Sequence, residues 1–384
     1  MDIAKDADII VVGCGFYGAT FAECAAREKG LKILVIEMRD HIGGNAFSQK
    51  DDSTGIEIHR YGPHIFHTSN EIVWNYLNGF TSFTNYQHRA FTVHKQNVFS
   101  LPINLGTICQ FFGRHFSPEE ARSLIAVQTE NLAGTDPHNL EEKAISMIGR
   151  PLYEAFIRNY TQKQWQTDPR LLPAAIFNRL PVRYNFDNRY FSDRFEGMPA
   201  NGYTAVVQRM LSSPNIKVML DTDWFEIRSL MPQNKPVIYT GPIDRYFNFD
   251  LGRLGWRTTD FEKIVAPVSD FQGCSIMNYA DLDTEYTRIV EYRHFHPERN
   301  YQTEKSVIVR EYPRSATAKD EPYYPIDTQD DKRIYLQYKK RSELEANTYF
   351  GGRLGTYRYI DIHQAVAAAL KDWQSLSVRH FGRS

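Results

Sequence analysis

An α/β fold is predicted by three features of the sequence. A β-branched run, Ile9-Ile10-Val11-Val12, leads at once into Gly13-Cys14-Gly15-Phe16-Tyr17-Gly18 and then into an Ala-rich helical stretch. The middle of the chain carries helix start signals. After it come alternating and β-branched runs. The expected architecture is a Rossmann-like dinucleotide-binding domain with an inserted helical domain and a mainly antiparallel β-sheet domain.

The first unit justifies the dinucleotide reading part by part. Ile9-Ile10-Val11-Val12 reads as a buried parallel strand. Residues 19–28 have the composition of a helix packed closely on a sheet, and Lys32-Ile33-Leu34-Val35-Ile36-Glu37 reads as a second buried strand ending in an acid. Strand, G-x-G-x-x-G, helix, strand and acid follow one another within about 30 residues, the full βαβ context. Gly13 allows the tight turn, Gly15 lets the backbone approach a pyrophosphate, and Gly18 lets helix and strand pack closely. The helix N-terminus, with Phe16 in its first turn, offers free N–H groups to phosphate. Glu37 is placed to accept hydrogen bonds from ribose hydroxyls. Arg39-Asp40-His41-Ile42-Gly43-Gly44-Asn45 then adds a second glycine pair, which a plain NAD domain does not need. That pair selects FAD as the expected cofactor.

Farther on, Ser117-Pro118-Glu119-Glu120 is a helix start with Ser as N-cap, Pro at the first position and acids in the first turn. Asn139-Leu140-Glu141-Glu142 opens another helix, and residues 152–157 belong to a third. Residues 180–200 and 236–315, with runs such as Val237-Ile238-Tyr239-Thr240, point to the antiparallel sheet, and residues 365–370 to a closing helix. The expected division is discontinuous. Residues 1–80, 200–235 and 340–384 form the FAD-binding domain. Residues 103–178 form the helical domain, with a mobile lid near 170–183. Residues 81–102, 184–199 and 236–339 form the sheet domain.

Composition narrows the partners. Lys+Arg number 45 and Asp+Glu 46, a balance that argues against nucleic-acid or membrane electrostatics. Cys14, Cys24, Cys109 and Cys274 form no C-x-x-C pair and no zinc pattern, so free thiols and no metal are expected. Residues 1–8 lack a signal-peptide apolar region, and a cytoplasmic location is expected.

Ten segments together resemble the bacterial UDP-galactopyranose mutase family. The most specific are Tyr61-Gly62-Pro63-His64-Ile65-Phe66-His67-Thr68, Tyr160-Thr161-Gln162-Lys163-Gln164-Trp165, Pro322-Tyr323-Tyr324-Pro325 and Gly351-Gly352-Arg353-Leu354-Gly355-Thr356-Tyr357-Arg358-Tyr359. The resemblance implies an isomerase that interconverts UDP-galactopyranose and UDP-galactofuranose. Reduced flavin N5 would attack the anomeric carbon and displace UDP. The flavin–sugar adduct would open, reclose through another hydroxyl and recapture UDP, with no net redox change. A cellular flavin reductant and a homodimeric state complete the expected partners.

The same resemblance distributes roles. Arg179 and Arg288 match the two diphosphate-binding arginines, whose charge stabilises departing UDP. Tyr160 and Trp165 match positions beside the uridine. Tyr190, Tyr323 and Tyr359 match hydroxyls directed at phosphates or sugar, and Asn278 joins the substrate contacts. His64 and His67 fall near the flavin, with His67 among the catalytic groups. Arg39, Gly43, Gly44, Asn45, Arg353, Tyr359 and Asp361 match cofactor contacts. One departure stands out: His88 occupies the place of a substrate-contacting Asn. Two rivals remain, one sharing the N-terminal signature and one sharing the fold. An amine-oxidase-type flavoprotein would consume oxygen, and a flavin-free prenyl-GTPase escort protein would be colourless.

Overall fold

The structure is a computed structural model that describes residues 5–129, 132, 134–179 and 181–382. The apolar runs Ile9–Val12 and Ile33–Ile36 are buried at every position, as strands covered on both faces must be. They pair in parallel at the centre of a five-stranded sheet, flanked by Ile216–Met219 on one side and by Val237–Tyr239 and Thr348–Phe350 on the other. This corrects one expectation. Val237–Tyr239 was read as part of the antiparallel sheet, but it pairs in parallel with Ile9–Val12. Its three consecutive buried residues are the pattern of a strand covered on both faces, not of an alternating one.

Helix Phe16–Lys29 crosses between the first two strands and packs against the closing helix Ile362–Phe381. Trp373 of the closing helix is fully buried, meets the Phe21 ring edge-on at 5.5 Å, and donates its indole N–H to Glu28 at 2.7 Å. The Tyr17 hydroxyl donates to Asp372 at 2.6 Å. These contacts return the end of the chain to its beginning and set Arg353 and Asp361 beside the glycine turn.

The second sheet has seven strands, ordered Tyr324–Pro325, Trp256–Ala266, Ser306–Ser315, Arg288–Glu291, Ile276–Tyr279, Ala90–His94 and Asn97–Leu101. Every pairing is antiparallel except Ile276–Tyr279 with Ala90–His94. Residues 180–200 do not join it. The strand Phe195–Gly197 pairs instead with Phe66–Thr68 in a separate two-stranded ribbon. The chain between is rich in Asn, Asp and Arg, which favours turns over strand.

A separate helical core gathers Ile108, Ile125, Ile145, Ile148 and Phe156. Ser117 caps helix Pro118–Val127 in a capping box with Glu120, and Asn139 caps Leu140–Leu152. The latter kinks at Gly149, whose φ of 73° is cheap only for glycine. A π-helical segment, Tyr153–Arg158, runs into helix Asn159–Trp165, which lies over the second sheet. Two short turns, Pro169–Leu171 and Ala174–Arg179, follow. Among the described residues no helix is long and apolar enough to cross a membrane.

Candidate functional site: two cavities with a common wall

The first cavity opens at the C-terminal ends of the parallel strands, where ligands of such sheets bind. It is lined by the turn from Gly13 to Gly18, by Glu37 and Arg39, by Gly43, Gly44 and Asn45, and by Thr240 and Arg353. The turn is built for close approach. A Cβ on Gly18 would stand 2.1 Å from the Gly13 carbonyl, and one on Gly44 would stand 3.0 Å from the Gly15 Cα. Glu37 organises this backbone by accepting from the Cys14 N–H at 2.8 Å and the Arg39 N–H at 3.0 Å.

Helix Phe16–Lys29 starts at Gly15 with no side-chain cap and no acid in its first turn. Its first N–H groups and dipole are thus directed at whatever fills the turn. Arg39 adds a cation. It pairs with Glu321 at 2.6 Å and donates to Asn45 at 2.8 Å, yet its Nη1 is buried without a protein acceptor. An orphaned buried donor beside an uncapped helix start fits an anionic dinucleotide.

The second cavity, about 630 Å³, lies against the seven-stranded sheet, and Tyr160 of helix Asn159–Trp165 also lines it. Its substrate-side groups come from many elements: Tyr160, Tyr190, Asn278, Arg288, Tyr323, Tyr324 and Tyr359, with His67 and His88. Arg288 and Glu311 sit opposite each other on adjacent strands, and Arg288 Nε donates to Glu311 at 2.6 Å. Burial works against the Arg288 charge, but Glu311 holds it above the ordinary arginine range. The second Glu311 oxygen is buried without a partner.

Burial keeps His88 and His64 neutral. Burial pushes His88 down to about 3, helped by the Arg288 charge, while its Nδ1 lies 3.0 Å from the Tyr86 hydroxyl. Burial and then Arg353 push His64 down to about 4. Its Nδ1 is 3.0 Å from the Gly62 carbonyl, which assigns the proton to Nδ1. His67 stacks on Phe191 with ring centres 3.7 Å apart. Its Nδ1 lies 2.7 Å from Asp193, which also accepts from Ser69 at 2.7 Å. Asp193 is held below the usual carboxylate range because these hydrogen bonds outweigh its burial.

Asn45, His64, Arg353, Asp361 and Ile362 line both cavities. Arg353 is fixed there by donating to the carbonyls of Tyr323 at 3.2 Å and Ile360 at 2.7 Å, and it lies over the Tyr359 ring.

The sequence-derived site is therefore gathered almost whole. All the cofactor-side residues expected from sequence line the first cavity, except Tyr359, which lines the second. Trp165 packs against the helical core, and the second cavity is lined without it. Five residues along a helix rotate by about 140°, so Trp165 cannot share the face of Tyr160. The Arg179 side chain lies outside the described residues. Sequence reading missed Glu311 and Asp193 as site residues and placed Tyr324 behind Tyr323, whereas both tyrosines line the second cavity. Glu311 lies in an ordinary strand, and only its register opposite Arg288 reveals it.

The family profile described as UDP-galactopyranose mutase matches residues 155–359, and that of an NAD(P)-binding Rossmann-like domain matches residues 11–80. The chain is 44% identical over 368 residues to the probable UDP-galactopyranose mutase of Klebsiella pneumoniae, covering 95% of this chain and 93% of that protein. It is 39% identical over 367 residues to the dTDP-fucopyranose mutase of Escherichia coli, covering 94% and 96%. A crystal structure of reduced UDP-galactopyranose mutase shares its fold, with a TM-score of 0.73 at 14% identity over 96% of this chain and 95% of that one.

Proposed function

The chain belongs to the UDP-galactopyranose mutase family, a family of isomerases, and on that premise we propose that it interconverts UDP-galactopyranose and UDP-galactofuranose with FAD in the first cavity. The observation that carries this reading is the common wall: a dinucleotide cavity meets an Arg- and Tyr-lined cavity across His64, Arg353 and Asp361.

The uncapped helix start, Arg39 and the glycine pairs suit the pyrophosphate of FAD, and Glu37 suits its ribose. When bound and reduced, FAD supplies a nucleophilic nitrogen, which permits ring contraction without net redox change. Arg288 grips the diphosphate and stabilises UDP as it leaves, with Arg179 as the second clamp. Glu311 binds Arg288 through Nε, the nitrogen nearest the chain, and so orients the planar fork. Tyr160 stacks on uracil, and the hydroxyls of Tyr190, Tyr323 and Tyr359, with Asn278 and His88, meet phosphates and sugar. Asp193 holds the Nδ1 proton of His67, leaving Nε2 able to accept a proton from a sugar hydroxyl. The protein acts in the cytoplasm as a homodimer and depends on a cellular flavin reductant.

The test is direct. The purified protein is reduced with dithionite and given UDP-galactofuranose, and chromatography follows UDP-galactopyranose. dTDP-fucofuranose runs in parallel, because one relative carries that specificity in its name. Conversion of the uridine substrate after reduction supports the proposal. Full activity with the flavin left oxidised, or steady oxygen consumption with substrate, contradicts it.

A further inference from the structure

Lys163 belongs to a segment that marks the family, yet it lines neither cavity. Its ammonium lies 2.7 Å from the carbonyls of Tyr279 and Asp281 and 3.1 Å from those of Thr284 and Tyr286, with the Thr284 hydroxyl at 3.3 Å. Five oxygens converge on an ammonium with three N–H donors, which are shared among them as charge-assisted bonds and form a cage around it. Burial pushes Lys163 down to about 8, against the opposing pull of Asp283 and Asp281, so the charged form dominates at neutral pH.

The caged segment is the connection between strands Ile276–Tyr279 and Arg288–Glu291. Asn278 and Arg288, at its two ends, both line the substrate cavity. Lys163 itself stands three residues after Tyr160 on helix Asn159–Trp165, and residues so spaced share a helix face. The helix is held independently at its end, where Arg257 donates to the Gln164 carbonyl at 3.0 Å and the Gln166 side chain at 3.2 Å. The turn is held on its far side by Asp281, which lies 2.6 Å from His94 and accepts the Lys95 N–H at 2.7 Å. What Lys163 adds is the relation between the two.

Resting on the nucleotide-sugar reading above, we propose that Lys163 is a positioning residue: its ammonium, caged by the carbonyls of Tyr279, Asp281, Thr284 and Tyr286, locks the 280–287 turn to helix Asn159–Trp165 and thereby sets Arg288 and Asn278 against Tyr160. Removing the charge leaves four carbonyls without their donor. The turn then relaxes and the diphosphate clamp shifts relative to the uracil platform.

The test uses Lys163→Met and Lys163→Ala in the full-length flavoprotein. UDP affinity is measured by titration, alongside kcat, KM, flavin content and thermal unfolding. Lys163→Met is expected to weaken UDP binding and raise KM about tenfold or more, since small misplacements in a site are costly, with flavin content and cooperative unfolding retained. In Lys163→Ala, ethylammonium refills the cage and restores UDP affinity, whereas tetramethylammonium, lacking N–H donors, does not. UDP binding at the wild-type level in both variants overturns the proposal. So does a loss of flavin and UDP binding together that ethylammonium leaves unchanged, because that marks a merely structural lysine. A wild-type chain that binds no UDP contradicts the nucleotide-sugar reading itself and takes this proposal with it.

Discussion

The cavity behind the first glycine turn is built around close approaches at glycines, with side chains such as Arg39, Glu321 and Arg353 completing its wall. Its close approaches include Gly13 to the Thr240 hydroxyl, Gly18 to the Gly13 carbonyl and Gly44 to Gly15, and its carboxylate, Glu37, accepts from backbone N–H groups nearby. The neighbouring cavity is walled by side chains from across the molecule: Tyr160 from a helix, Arg288 and Glu311 from two strands, Tyr190 and His88 from loops. Backbone walls tolerate no added atoms but rely little on side-chain identity. Side-chain walls tolerate small changes of shape but lose function with one charge. The contrast shows which substitutions should separate cofactor binding from turnover.

The sharpest break is Arg288→Ala. It removes the clamp and leaves Glu311 buried and uncompensated, so kcat/KM should fall about 10²–10³-fold with flavin content unchanged. A variant with near-wild-type turnover would show that the second cavity does not work through this charge. Gly44→Val tests the other wall. Its Cβ would press on Gly15 at a φ of 56°, where a β-branched residue is strained. Flavin recovered with the purified protein should drop about tenfold or more, since the strain and the lost approach act together. Retained flavin would mean that the glycine pair is a surface turn.

Smaller effects sharpen the comparison. Tyr160→Phe keeps the ring and deletes one hydroxyl, so KM should change by only about two- to tenfold, the range of a single hydrogen bond. A larger loss would move Tyr160 from stacking to polar recognition. A last effect concerns acid stability rather than turnover. His88 has a folded-state value of about 3, below an unfolded value of about 6.5. Between the two, the unfolded chain binds more protons. Its contribution is therefore complete above pH 6.5 and is lost as pH falls towards 3. The melting temperature of His88→Gln should decline less steeply from pH 6.5 to 4.5 than that of the wild type. Parallel curves would show that His88 is not held neutral by burial.

Much of this was legible before any coordinates. The βαβ unit spans few residues, and each part of it has a local reason, so the sequence order of strand, glycines, helix and acid is also its spatial order. Helix starts at Ser117 and Asn139 were equally local, since a cap is a contact three residues long. The strand Val237–Tyr239 was misassigned because a three-residue apolar run carries no period that separates parallel from antiparallel pairing. Glu311 was invisible because nothing near it in sequence differs from an ordinary strand.

By itself, then, the sequence determined the cofactor half: glycines at turns only they can make, an acid at a strand end, and family segments in a fixed order. Only the tertiary structure decided how the residues of the second cavity meet. It set the opposition of Arg288 and Glu311, the wall shared through His64, Arg353 and Asp361, and the cage around Lys163. The physical reason is range. Turns and caps are closed by neighbours a few residues apart, whereas a pocket lined from many elements is closed by strand register and packing, which bring together groups as distant in the chain as Tyr160 and Arg288 and leave no local mark.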